Sequence, residues 1–414
     1  MPKVKPAAAV TTPTAVINRR AAARLRHGHV WVYRSDLVSE PPAEPGSLVS
    51  VGDEQRNLVG TALYSSSSQI ALRMISSGPV SAEAWLEMLR DRLGSAIAYR
   101  RRLLESAPDT TACRLVFSEA DFLPGLIIDR YHDVLSMQVL AQAMDAPAVR
   151  EVIAETLKEE LCGRGGTGHR PVPHELSLVE RIEPRIRELE QLPPRDTGAI
   201  FGEKTTTVYS LNGVKFHYDA AAGQKTGAFL DQRENYAAAE RHARGDALDT
   251  FTYQGGFALH LARACNSVTA VDSSRPALEV ADQNAALNQR EVEWIEANVF
   301  DLLKDYASAG KQYDTVVLDP PAFAKSKKDL GSALRGYKEL NLRALKMLRP
   351  GGVLVTCSCS YHVSEGEFLE MLQSAAADAR RSPRVLEKRG QAQDHPVLLT
   401  VPETSYLKCL ILQV

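Results

Sequence analysis

The residues best suited to chemistry follow short apolar runs in the C-terminal half of the chain. Asp319 ends the run DTVVLD and precedes Pro320 and Pro321, and two cysteines, Cys357 and Cys359, stand in the run VTCSCS. A carboxylate and free backbone carbonyls can hold the polar edge of a planar base, and a cysteine thiolate can attack an electron-poor carbon. The pattern predicts a nucleophile site, and the spacing alone does not choose between the two thiols.

A second group of residues is typical of a nucleoside pocket. Gly255 and Gly256 open a helix after the run DALDTF, and Asp272 ends the run SVTAVD. Glycines let a ligand approach backbone N–H groups, and an acid at this interval can accept hydrogen bonds from ribose hydroxyls. The glycines could equally form a tight turn, and Asp272 could cap the helix that begins near Pro276. Together the features favour a nucleoside cofactor, while the missing GxGxxG argues against a dehydrogenase.

The segment LDPPAFAKSKK adds an aromatic ring and positive charge next to Asp319. Phe323 offers a ring on which a base can stack, and Lys325, Lys327 and Lys328 could neutralise phosphates. A Pro-rich turn that only ends a strand is the alternative, and lysine runs are usually solvated. The set suits a planar group that bears an amine.

These residues need a scaffold that brings strand ends together. Beyond about residue 202, five apolar runs alternate with helical stretches, which predicts a parallel, doubly wound α/β sheet with the site at its carboxyl edge. The runs are residues 246–251, 267–272, 292–297, 314–319 and 352–358. Residues 384–388 and 405–413 have no helix between them, and we expect them to pair antiparallel at the sheet edge.

The N-terminal half has a different character. Residues 1–13 form a Pro/Ala/Thr tail, residues 14–78 alternate short β-type runs with turns, and residues 79–201 mix a long helix with strands and a Gly/Pro-rich loop. The second pattern predicts a small barrel or sandwich. Residues 1–40 contain more basic than acidic side chains, which favours an anionic partner. The candidate contacts are Arg19, Arg20, Arg24 and Arg26.

Composition excludes several classes of protein. The chain has 414 residues, 49 Lys and Arg against 51 Asp and Glu, and six cysteines. This balance excludes a histone-like polycation, and the scattered cysteines favour neither a disulfide framework nor a zinc site. No stretch reaches the ~18 apolar residues of a membrane span, and the opening segment is not a convincing secretory signal. We therefore expect a cytoplasmic protein with no membrane partner and no metal.

The ordered motifs resemble those of the bacterial large-subunit (23S) rRNA cytosine 5-methyltransferase family over nearly the full chain. The matching segments are HGHVWVYRSDL, GLIIDRY, GQKTGAFLDQR, FTYQGGF, VDSSRPALEVADQNAALN, LDPPAFAKSKK, RGYKELNLRALKML, TCSCS and QDHPV. The resemblance implies a PUA-like RNA-binding domain at 14–78, a central α/β domain at 79–201 and a Rossmann-like S-adenosylmethionine (SAM) methyltransferase domain at 202–414.

The resemblance also implies roles for individual residues. It assigns to the cofactor and the domain junction Lys225, Thr226, Gly227, Asp231, Gln232 and Arg233, and to SAM itself Tyr253, Gly255 and Asp272. It favours Cys359 as the nucleophile and Cys357 as a packing residue. Two positions depart from the pattern. Asn298 stands where an acid commonly faces the adenine amine, and Ala322 stands where other RNA cytosine methyltransferases carry a second thiol.

From the sequence we predict a SAM-dependent enzyme that forms 5-methylcytosine in large-subunit rRNA or its precursor through an adduct on Cys359, with Asp319 holding the base. The alternatives are a guanine methyltransferase that acts directly on a base nitrogen and a non-catalytic RNA-binding assembly factor. The target nucleotide, the maturation stage of the substrate and the oligomeric state, a homodimer included, are left open.

Overall fold

The computed structural model describes residues 12–162, 176–221, 228–324 and 326–414. The α-helices are α1 (Arg19–Arg26), α2 (Ala82–Glu105), α3 (Pro147–Cys162), α4 (Pro184–Leu189), α5 (Arg233–His242), α6 (Gly256–Leu261), α7 (Arg275–Leu287), α8 (Val299–Ser308), α9 (Leu330–Met347) and α10 (Glu365–Ala379). The first strands are β1 (Thr14–Ile17), β2 (Trp31–Tyr33), β3 (Leu37–Ser39), β4 (Leu48–Gly52), β5 (Leu58–Tyr64), β6 (Ile70–Ser76), β7 (Ala112–Phe117), β8 (Leu126–Tyr131), β9 (Val134–Val139), β10 (Ser177–Glu180) and β11 (Gly198–Phe201). The later strands are β12 (Thr206–Leu211), β13 (Val214–Asp219), β14 (Asp246–Thr250), β15 (Ser267–Asp272), β16 (Glu293–Glu296), β17 (Tyr313–Leu318), β18 (Leu348–Ser358), β19 (Arg384–Arg389) and β20 (Lys408–Gln413).

The N-terminal sheet contains six short strands in the order β2-β6-β5-β4-β1-β3, and only the β1–β4 pair is parallel. Every second residue of a strand, such as Val49 and Val51 of β4, buries its side chain in the core of this sheet. Arg24 of α1 bonds inward, because its guanidinium donates to Asp36 at 2.6 Å and to the carbonyl of Trp31 at 3.1 Å. The predicted small β unit is confirmed. Arg24, a candidate contact for an anionic partner, is instead paired with Asp36 inside this unit.

The central sheet has the order β11-β10-β9-β8-β7, with α2 and α3 packed on it. Leu89, Leu93 and Ile97 of α2 recur at helical spacing and are fully buried against the strands. Strands β8 and β9 form a hairpin around His132, since they pair antiparallel up to Tyr131 and Val134. The core between the central strands and α2 also includes Leu63 and Ile75 of the N-terminal sheet.

The C-terminal sheet has the order β16-β15-β14-β17-β18-β20-β19. Its first five strands are parallel, β20 runs antiparallel to β18, and β19 runs antiparallel to β20. Its central strands are apolar on both faces. Ala247 and Val317 pack against the core of α5, α6 and α7, whereas Leu248 and Val316 pack against the core of α8, α9 and α10. The predicted α/β sheet with an antiparallel edge is confirmed, and the carboxyl ends of β14, β15 and β17 lie at one edge.

A buried acid joins the central and C-terminal sheets. Asp394 is fully buried, and its carboxylate accepts hydrogen bonds from the backbone N–H of Arg114 at 2.8 Å and from the guanidinium of Arg233 at 3.4 Å. Burial alone would raise the pKa of Asp394, but His395, Arg233 and the Arg114 N–H together lower it below the ordinary value. The carboxylate is therefore charged at neutral pH, and its partners compensate for its desolvation.

Within the described ranges, every helix is too short or too polar to span a lipid bilayer. The same residues contain no group of three His, Cys, Asp or Glu side chains arranged to hold a metal ion.

The buried acid yields a stability prediction. Asp394→Ala leaves the Arg233 guanidinium buried without this partner, so we expect the free energy of unfolding at pH 7 to fall by about 3 to 5 kcal/mol in urea titrations. Because folding lowers the pKa of Asp394, its stabilisation is complete above the unfolded value near ~4 and disappears as pH falls through the folded value. The difference between the two proteins should therefore shrink in acid.

A matched control is Asp378→Ala. Asp378 forms an exposed ion pair with Lys338 at 2.7 Å, and such pairs contribute about 0 to 1 kcal/mol. Equal losses of stability in the Asp394 and Asp378 variants would contradict the role assigned to the buried acid.

Candidate active site

Asp319 follows β17 at the carboxyl edge and is oriented by a chain of side chains. Gln232 donates to its carboxylate at 2.9 Å, and Asn235 donates to the Gln232 carbonyl oxygen at 2.7 Å. Arg389 of β19 donates to the Asn235 carbonyl oxygen at 2.9 Å. The donors at each step determine which way the amides face. The half-buried carboxylate is thereby held at the opening of the cleft.

The two cysteines of β18 have different surroundings. Cys357 is fully buried and pairs with Cys409 of β20 across the sheet. Burial, followed by the neighbouring Cys409, raises the pKa of the Cys357 thiol well above its ordinary value. Cys359 lies one residue beyond the strand, is partly exposed, and its Sγ lies 3.9 Å from the carbonyl oxygen of Pro320. Only Cys359 of this pair therefore reaches the cleft beside the Asp-Pro-Pro segment.

A hydroxyl cluster fixes the turn that carries Cys359. The Tyr337 and Ser360 hydroxyls lie 2.9 Å apart, and Ser358 donates to the Tyr337 hydroxyl at 3.0 Å. Ser360 also accepts the backbone N–H of Ala324 at 3.2 Å, which ties the turn to the segment after Asp319. Sequence reasoning assigned no role to these hydroxyls, although serines on both sides of Cys359 were a visible signal.

The Asp-Pro-Pro segment is anchored by an aromatic contact. The half-buried ring of Phe323 packs on Tyr337, with ring centroids 4.7 Å apart, and on Phe300 at 5.9 Å. Pro320 is buried and Pro321 is exposed. The structure thus gives Phe323 a packing role, where the sequence suggested a surface for base stacking. Lys325, proposed for phosphate contact, lies outside the described residues.

Asp272 organises the loop between β14 and α6. One carboxylate oxygen accepts the backbone N–H of Tyr253 and the other accepts that of Ser274, each at 2.9 Å. Tyr253 has a φ of 51°, in the left-handed region that residues other than glycine rarely adopt. Gly255, the N-cap of α6, has a φ of 86°. The acid therefore supports this loop and the turn before α7, and the alternative in which Asp272 caps that helix is wrong, because the cap is Ser274.

A buried acid below this loop was missed by the sequence reasoning. Asp249 of β14 is fully buried and accepts a hydrogen bond from the Thr252 hydroxyl at 2.5 Å. Burial raises the pKa of Asp249 to about 7, with the Thr252 bond opposing it. An acid inside the apolar run DALDTF was the available signal, because a buried carboxyl without a structural task is rare.

A cavity opens between this loop and the start of α5. Its walls include Phe229, Phe251, Tyr253, Gln254 and Asp319. Aromatic rings, an amide side chain and a carboxylate among the lining residues match the needs of a nucleoside that carries a charged amino-acid tail. The residues present therefore fit a SAM-type cofactor.

Two family models match the chain. One is a PUA-like domain over residues 15–77, and the other is an S-adenosylmethionine-dependent methyltransferase over residues 197–412. A curated relative from Pseudoalteromonas translucida, named Ribosomal RNA large subunit methyltransferase I, is 35% identical over 94% of this chain and 96% of its own. A relative of the same name from Photobacterium profundum is 36% identical over 93% of this chain and 95% of its own.

The chain belongs to the ribosomal RNA large subunit methyltransferase I family. Like the other proteins that the second model describes, it is a SAM-dependent methyltransferase. A solved putative methyltransferase complexed with SAH covers 97% of this chain and 100% of its own, with a TM-score of 0.80 and 18% identity. A putative SAM-dependent methyltransferase from Streptococcus mutans gives 0.79 and 19%, with the same coverage. At these identities the two structures support the fold.

Several residues that the sequence assigned to the cofactor have other contacts in this methyltransferase. Asn298 is the exposed N-cap of α8, and its side-chain oxygen accepts the backbone N–H of Phe300 at 2.9 Å and that of Asp301 at 3.4 Å. Asp231 accepts the Tyr406 hydroxyl at 2.6 Å, a contact between the start of α5 and the segment before β20. The cofactor candidates outside the described residues are Lys225, Thr226 and Gly227.

The assignment of Asp272 to SAM yields a prediction for this methyltransferase. Asp272→Ala should raise the SAM dissociation constant roughly tenfold or more in calorimetry, because a charge-assisted hydrogen bond of about 1.5 to 3 kcal/mol is lost. Ser274→Ala is the control, since it removes the N-cap side chain of α7 and leaves the carboxylate in place. An unchanged affinity in the Asp272 variant, or the same loss in both variants, would leave Asp272 as a supporting residue of the helix start.

Proposed function

We propose that the protein methylates carbon 5 of a cytosine in large-subunit rRNA, with Cys359 as the nucleophile. The observation that carries the proposal is the contrast between the two thiols of β18: Cys359 is accessible beside Pro320 and Asp319, and Cys357 is buried against Cys409. The names of the curated relatives support rRNA of the large subunit as the substrate.

The chemistry explains why a thiol is needed. Carbon 5 of cytosine is a poor nucleophile, and the thiolate of Cys359 activates the ring by forming a bond to carbon 6, which leaves an enamine. Bound SAM supplies the methyl group that carbon 5 accepts. Carbon 5 then loses its proton to a base, the electron pair returns to the ring, and the carbon–sulfur bond breaks to restore the thiolate. Ala322 offers no second thiol, so we assign release to this elimination alone.

Asp319 is suited to hold the base during these steps. Its carboxylate can accept the exocyclic amine of cytosine, and Gln232 prevents it from rotating away. Pro320 and Pro321 donate no N–H, so the backbone carbonyls here can act as acceptors. The target base must leave the RNA stack to reach this position, because the cleft lies at the edge of a sheet and the ring must meet Cys359 face on.

The N-terminal sheet supplies the RNA affinity in this proposal. Arg19 and Arg20 begin α1 and are both exposed, whereas Arg24 is committed to Asp36. Exposed arginines can neutralise phosphates and release counterions, which adds affinity without selecting a base. We therefore assign phosphate contact to the first two arginines and a structural role to the third.

The nucleophile assignment predicts different outcomes for the two cysteine variants. Cys359→Ala should abolish methyl transfer while SAM still binds, because the ring is no longer activated. Cys357→Ala is the matched control and should keep most activity, since it removes one buried sulfur from the core. Activity is measured by methyl incorporation into rRNA transcripts, and the adduct is trapped with 5-fluorocytidine RNA and mapped by peptide mass spectrometry.

Three results would contradict this assignment. They are methylation of cytosine by the Cys359 variant, an adduct mapped to Cys357, and methylated guanine as the product. The last would indicate direct transfer to a base nitrogen.

The arginine assignment predicts a change in salt dependence. Arg19→Ala combined with Arg20→Ala should make the slope of log affinity against log salt less negative by roughly 1 to 2 for an rRNA fragment, since up to two phosphate contacts are lost. The control, Arg101→Ala with Arg102→Ala on α2, removes the same charge from another exposed site. Identical slopes in all three proteins would show that these arginines do not touch phosphates.

A further inference from the structure

We propose that the ammonium group of Lys408 stabilises the thiolate of Cys359, which makes Lys408 a positioning residue for the reaction. This inference rests on the function proposed above, because it concerns the same nucleophile. The thiol proton leaves to solvent, and the resulting anion lies beside a cation that the fold holds in place.

The sheet register brings Lys408 to the nucleophile. Strand β20 runs antiparallel to β18, and Lys408 pairs with Ser358, the residue before Cys359. Its Nζ donates to the carbonyl oxygen of Ser360 at 2.7 Å and to that of Tyr406 at 2.9 Å. Because Ser360 directly follows Cys359, the ammonium is fixed to the turn that carries the thiol.

The charge of Lys408 has no carboxylate partner at ion-pair distance within the described part of the chain. The carboxylate that acts on its charge is Glu367 of α10, which accepts the backbone N–H of Ser364 at 2.8 Å and the Ser364 hydroxyl at 2.6 Å in a capping box. Desolvation lowers the pKa of Lys408 to about 8, and Cys359 and Glu367 oppose this shift. A thiolate at Cys359 would therefore be a counter-ion for an under-compensated cation.

The other titratable groups near Cys359 in the described part of the chain cannot supply the positive charge, since Asp319, which precedes Pro320, is an acid and the remaining two are phenols. Tyr337 of α9 and Tyr406 before β20 are phenols, and burial raises the pKa of each above its ordinary value. Tyr406 also donates its hydroxyl to Asp231. Both are neutral in the pH range of the reaction, so among these groups the electrostatic support comes from Lys408.

The test measures the reactivity of the thiol without RNA. The full-length protein is alkylated with iodoacetamide from pH 6 to 10, and modification at Cys359 is followed by tandem mass spectrometry of its peptide. The variants are Lys408→Met, Lys408→Arg, which keeps the charge, and the control Lys388→Met. Lys388 of β19 forms an exposed ion pair with Glu365 at 2.9 Å, so its loss changes the net charge equally away from the thiol.

We expect Lys408→Met to move the midpoint of Cys359 alkylation upward by about one pH unit or more and to slow the reaction at pH 7 roughly tenfold. Lys408→Arg and Lys388→Met should stay close to the unsubstituted protein. An unchanged midpoint in Lys408→Met, or a midpoint in Lys408→Arg equal to that of Lys408→Met, would overturn the proposal. If Lys408→Met does not fold, the unsubstituted protein decides, since a Cys359 midpoint at or above the ordinary ~8.5 contradicts thiolate stabilisation.

This experiment separates the two proposals. Methylation by the Cys359→Ala protein would refute the nucleophile whatever the alkylation profile shows. A normal requirement for Cys359 together with an unshifted alkylation midpoint would refute only the role of Lys408.

Discussion

Three consecutive side chains at the start of α5 fix the orientation of Asp319 in the cleft. Each has a different partner in the fold: Asp231 bonds Tyr406, Gln232 bonds Asp319, and Arg233 bonds Asp394. The middle bond orients the acid of the cleft, and the outer two hold the turn in place. Rotation of the turn would break a buried ion pair, which costs several kcal/mol, so the orientation of the acid is tied to the junction between the sheets.

The junction itself is built from buried arginines of the central region. Arg100, which is fully buried, donates to Asp121 and also to the backbone carbonyl of Asp394 at 2.9 Å. Arg114 donates to Asp129 at 2.7 Å. Such pairs add little net stability, because desolvation offsets their attraction, but they are satisfied in only one arrangement. The bonds that cross to the C-terminal region are those from the Arg100 guanidinium and the Arg114 N–H to Asp394, and they hold the two sheets in one relative orientation.

The sequence predicted the sheet and the ends of its strands well, because apolar runs that bury both faces of a parallel sheet leave few alternatives. Asp319, Cys359 and Asp272 could be selected from the sequence because they stand at or just after those strand ends. The roles of Arg24 and Phe323 could not be predicted in this way. A guanidinium or a ring suits both a ligand and a core, and its partners here, Asp36 and Tyr337, become neighbours only in the folded chain. Local pattern carries no information about such pairings.

The antiparallel direction of β20 has a chemical consequence that a parallel strand could not provide. Ligand sites lie at the carboxyl ends of parallel strands, where a parallel β20 would present its last residues. Running the other way, β20 presents its first residues there, and alternation along the strand then divides their tasks. Cys409 enters the core against Cys357, while Lys408 bonds the turn beside Cys359. One strand thus buries Cys409 against Cys357 and, in our proposal, places a cation next to the nucleophile Cys359.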